Sequence, residues 1–96
     1  MNGIKELVQK VMDATGLGEK YLQFRLEEFW KEVVPEDVVK DTRSLDFKGD
    51  VFTIVVRSSE SKDVLDYLSD KLLSRLKKDF PEFSLSAVTV SLDDTQ

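Results

Sequence analysis

The chain has 96 residues, 41% hydrophobic and 34% charged, with a net charge of −5 and neither cysteine nor histidine. A chain this size buries roughly 60–65% of its unfolded surface, enough for one thin core, and its composition is globular, outside the disordered regime. Without cysteine there are no disulfides or thiolate metal sites, and without histidine the commonest metal ligand and general base are missing, so a protein with no catalytic role, metal or cofactor is expected.

No stretch approaches the ~20 apolar residues of a membrane helix. The start, MNGIKELVQKVMD, is amphipathic with mixed charges, unlike a signal peptide. A soluble cytoplasmic protein without a membrane partner is the expectation. The acidic balance opposes bulk attraction to nucleic acid, but it is uneven: residues 21–41 and 80–96 each sum to −3, while residues 42–59 sum to +1.

Ile4, Leu7, Val8 and Val11 line one helical stripe, which should end near Thr15 because Gly16 can take a left-handed cap. A second helix is predicted from about Glu19 to Val34, burying Leu22, Leu26, Phe29 or Trp30, and Val33. The helical spacing of Tyr21, Phe24, Phe29 and Trp30 points to core packing rather than a base-stacking platform. Pro35 should kink the chain and open a short helix over residues 36–41, with Val38 and Val39 inward.

Leu45 and Phe47 alternate with Asp46 and Lys48, and Gly49-Asp50 supplies a two-residue turn. Pairing Lys48 with Val51 sets Phe47 against Phe52, Leu45 against Ile54, Arg43 against Val56 and Thr42 against Arg57. That register collects the apolar side chains on one face. The other face carries Asp46, Val51, Thr53, Val55 and Arg57, more apolar than a fully solvated surface. A third long helix follows from about Ser61 to Asp79 on the stripe Leu65, Leu68, Leu72 and Leu76, and a last strand runs from about Phe83 to Leu92. Lys71, Arg75, Lys77 and Lys78 gather near the helix C-terminus, where positive charge suits the exposed carbonyls.

The fold expected is therefore α+β, in the order α-α-β-β-α-β: a three-stranded mixed sheet with helices packed on one face. One domain over residues 1–96 is expected, closing on a short acidic tail at 93–96.

Two surfaces are candidates for function. At the seam between strand and helix, the hydroxyls of Ser58 and Ser59 suit a helix N-cap. The alternative is a phosphate or nucleic-acid site built from the free N–H groups with Thr42, Arg43, Arg57, Ser58, Ser59 and Lys62. The second surface is the helix-free sheet face with Val51, Thr53 and Val55, which suits a protein partner, a homodimer or a covering loop. Acidic pairs such as Glu27-Glu28 lack metal-ligand surroundings.

The segments FWKEVV, DTRS, FKGDVFTIVVRSS, VLDYLSDKLLSRL and SAVTVSL, spanning Phe29 to Leu92, together resemble the DciA-like family of bacteria. The chain departs from the family pattern at Pro35, where glycine is favoured, and at Lys77, where asparagine often closes the leucine-rich helix. The resemblance implies a KH-like fold and a module that binds a replicative helicase and assists its loading onto single-stranded DNA. The Gly-x-x-Gly loop by which KH domains clamp a nucleic-acid backbone is missing here. Three readings follow: a non-enzymatic helicase-loading interaction module with single-stranded DNA as a further partner, a stand-alone KH-like nucleic-acid-binding protein, and a small dimerising adaptor.

Overall fold

The computed structural model describes residues 17–93. The chain divides into two compact units, Met1–Glu32 and Val33–Gln96. The helix expected over residues 4–15 lies outside the described residues.

The described part of the first unit is helix α1, Leu17–Val33, whose last residue belongs to the second unit. Its apolar residues recur at helical spacing, and Leu26, Phe29 and Trp30 are buried. Tyr21 and Phe24 are 44% and 59% exposed, which corrects the expectation that all four aromatics pack in the core. The reason lies in the helical period: at 100° per residue Phe24 falls on the side opposite the Leu26–Phe29 stripe.

After Val33 the second unit continues with Val34, which is buried, and Pro35 with φ −59° and ψ 150°. An extended proline cannot continue α1, but its carbonyl accepts from the N–H groups of Val38 and Val39, both at 3.0 Å, and so starts α2, Glu36–Asp41. Val38 is buried and Val39 half-buried, as their spacing implied.

Strand β1, Thr42–Lys48, and strand β2, Val51–Val56, form the expected antiparallel hairpin, with Gly49 at φ +62° in the turn. Phe47 faces Phe52 and Leu45 faces Ile54. Beyond Ser44 the register differs from the sequence expectation: a bulge intervenes, so Thr42, not Arg43, pairs with Val56, and Arg57 has no strand partner in Thr42. Thr42 is also the C-cap of α2. Its N–H donates to Val39 O and its hydroxyl donates to Val38 O at 2.7 Å. The residue that finishes the helix is fixed, so the strand gains one residue before Leu45 and Phe47 can reach the core face.

Helix α3, Ser59–Asp79, packs on the face bearing Phe52, Ile54 and Val56 through Leu65, Leu72 and Leu76, all nearly inaccessible. Phe80 caps it, its N–H donating to Leu76 O at 2.8 Å. Strand β3, Ala87–Leu92, then pairs parallel to β2, with Phe52 opposite Val88 and Ile54 opposite Val90. It starts four residues later than the alternation suggested. Pro81–Phe83 instead form a 3₁₀ turn closed by Ser84 at φ 47°, and Phe83 stacks flat on Phe47 with ring centroids 3.9 Å apart. Phe47 also meets Phe52 and Phe80 at 5.1 and 5.5 Å, making an aromatic cluster at the hairpin end of the core.

Sheet order is β1-β2-β3 and the described elements run α-α-β-β-α-β. This is the α+β arrangement with a mixed three-stranded sheet that the sequence led us to expect.

Candidate functional site

The seam between β2 and α3 is organised around one carboxylate. Ser58 is the N-cap of α3: its Oγ accepts from the Ser61 N–H at 3.2 Å, and Ser61 itself is buried. The same serine donates twice to Asp41 Oδ2, from its N–H at 2.9 Å and its hydroxyl at 2.7 Å. The Arg57 N–H adds a bond to the Asp41 carbonyl at 3.0 Å, tying the end of α2 to the exit of β2. Ser58 and Ser61 bonds to the carboxylate, the Ser58 hydroxyl first, hold the Asp41 pKa below its ordinary 3.8. A negative group at a helix N-terminus is favoured by the exposed N–H groups and the helix dipole. At this terminus the chain supplies the anion itself.

The other residues considered for anion contact have separate engagements. The Thr42 hydroxyl is bonded to α2, and the Ser59 hydroxyl donates to Glu60 Oε1 at 3.0 Å. Lys62 Nζ sits 2.8 Å from Asp66 Oδ2, and the hydrogen bond and charge of Asp66 raise its pKa above 10.5. Arg43, as the bulge residue, reaches across the sheet end to Asp93, Nε to Oδ2 at 2.8 Å, while the Asp93 N–H donates to Val56 O. Arg57 keeps an exposed side chain, with no ion pair among the described residues. Parity alone aimed Arg43 at the core face; the bulge brings it to the Asp93 side instead. In the basic cluster, Arg75 meets Asp79 at 3.4 Å, and Lys71, Lys77 and Lys78 are exposed.

The sheet face away from α3 is the second surface. Val51, Thr53 and Val55 are half-buried there, flanked by exposed Ser44, Asp46 and Lys48 on β1 and by Thr89 and Ser91 on β3. Aliphatic side chains sit at its centre and polar ones at its margins, the distribution of a protein contact surface. Exposed aromatics are the feature that sequence reading missed. Besides Tyr21 and Phe24, Tyr67 is 87% exposed on α3. Their positions off the buried stripes are the signal that could have revealed them.

Among the described residues no cluster of carboxylates could hold a metal, and no helix is long and apolar enough to cross a membrane. The fold is of the α+β class, with the sheet face away from α3 half-buried. The family model described as "Dna[CI] antecedent, DciA" matches residues 3–90, and the chain belongs to that family. No curated protein and no solved structure matches the chain. The family is of helicase-loader type, which places the chain in the context of DNA replication.

Proposed function

We propose that this protein is a non-enzymatic interaction module that contacts a replicative helicase through the sheet face away from α3, with Val51, Thr53 and Val55 at the centre. One observation supports this over a nucleic-acid clamp. Among the described residues, the hydroxyl and cationic groups at the seam other than Arg57 already have partners, whereas the aliphatic face stays half-open. A protein surface needs apolar area to desolvate, and that face offers it. A polyanion surface needs available positive charge, and a chain of net charge −5 offers little.

Arg57 supports a second reading, in which single-stranded DNA makes a weak contact at the seam while the helicase is held elsewhere. Pull-down of purified replicative helicase by the wild-type chain and by Val55→Lys separates the two. Capture that is lost in Val55→Lys supports the protein-contact reading. Unchanged capture by that variant, together with salt-sensitive DNA binding blunted by Arg57→Ala, would favour the second reading.

A further inference from the structure

We propose that two copies of this chain associate through the outer edge of β3, antiparallel about a two-fold axis near Val90, to give a continuous six-stranded sheet. The two outer edges of the sheet differ. β1 carries the Arg43 bulge and the charged pair Asp46 and Lys48, devices that discourage strand pairing. β3, AVTVSL, has no charge, no proline and an unbroken register with β2. Among the described residues no backbone hydrogen bond reaches its outer side.

Ladder parity tells which groups are available there. The Asp93 N–H donates inward to Val56 O, so by alternation Ala87, Thr89 and Ser91 also turn their N–H and C=O groups to β2. Val88, Val90 and Leu92 turn theirs outward. An axis at Val90 sets Val88 against the partner copy's Leu92, and Val90 against itself, so each outward amide meets an outward carbonyl. Side chains match as well: Val88 lies beside Leu92, which is 40% exposed in the single chain, and Thr89 lies beside Ser91.

Helix α3 supplies the reason that the occupant is a second copy rather than any other strand. It packs on β2 and β3, chiefly β3, so pairing at this edge brings the two α3 helices side by side and antiparallel. With strands ~4.8 Å apart, helices over successive strand pairs lie about 10 Å apart, near the ordinary helix packing distance. Residues 59–70 of α3 sum to −3 and residues 71–79 to +3. Antiparallel alignment places each acidic half beside the basic half of its neighbour, a complementarity that only a copy of the same helix brings by symmetry.

Sedimentation velocity on the full chain, from about 1 μM to about 1 mM at low salt, tests this. The 11.0 kDa monomer should give way to a species of twice that mass. Val90→Pro deletes one outward N–H and none that bonds to β2, so it should remain monomeric with an unchanged far-UV circular dichroism spectrum. Thr89→Lys, at an exposed position, sets two ammonium groups beside the axis and should raise the dimer dissociation constant at least tenfold. Amide exchange of the wild type should slow at Val88, Val90 and Leu92 on concentration. A monomer at every concentration would overturn the proposal. So would a dimer unaffected by Thr89→Lys, or exchange protection confined to β1 or to the face of Val51 and Val55.

Discussion

Asp41 and Ser58 are the residues on which the junction of hairpin and helix turns. Ser58→Ala removes the cap and one bond to the carboxylate, and should lower stability by about 1 kcal/mol in urea unfolding. Ser59→Ala should change little, because among the described residues that hydroxyl bonds only to the exposed Glu60. Equal losses in both variants would mean that the cap is shared. Asp41 should also leave a mark on acid stability. Its folded pKa is below the unfolded 3.8, so its contribution is fully present above that value and disappears as pH falls through the lower, folded one. The stability gap between wild type and Asp41→Asn should therefore be constant from neutral pH to about pH 5 and close below 3.8. Parallel profiles down to pH 2 would contradict the assigned bond. From the sequence, the two serines announced a cap or an anion site, but nothing local identified the anion. Asp41 lies 17 residues from Ser58, and such a contact is set by the hairpin bringing its ends together.

At the level of elements, short-range patterns translated well and handovers did not. The hairpin from Leu45 to Ile54 was legible because alternation, a Gly-Asp turn and a buried face all demand one register. Gly49→Ala tests that turn. A Cβ there would meet nothing within 4 Å, so the cost is purely that of holding a non-glycine residue at φ +62°, about 1 kcal/mol by thermal unfolding. A loss above about 3 kcal/mol would show that the turn carries packing that its open surroundings do not reveal. The bulge at Arg43 and the 3₁₀ turn at Pro81–Phe83 were not legible, and for a shared reason. Each joins an element to the next one's register: Thr42 must finish α2 before β1 can proceed, and Phe83 is drawn to Phe47, 36 residues away. Alternation read along one strand carries no information about such obligations.

At the scale of the whole molecule, one sheet has two faces with opposite duties, and mutation should separate them. Phe52, Ile54 and Val56 are wholly inaccessible on one face, while Val51, Thr53 and Val55 of the same strand are half-open on the other. A domain this small holds about 5–15 kcal/mol of stability. Leu65→Ala, under the first face, should cost about 3 kcal/mol through lost burial and the cavity left behind. Val55→Lys, on the second, should cost less than about 1 kcal/mol, because a lysine stem can lie along a half-buried strand with its ammonium in water. The functional effects should run the other way. At a temperature where both variants are folded, Leu65→Ala should still capture helicase and Val55→Lys should not. Unfolding curves paired with capture assays would check both halves of this at once. If Val55→Lys unfolded as readily as Leu65→Ala, the second face would be a covered part of the core, and the proposed contact surface would have to move to the exposed aromatics Tyr21, Phe24 or Tyr67.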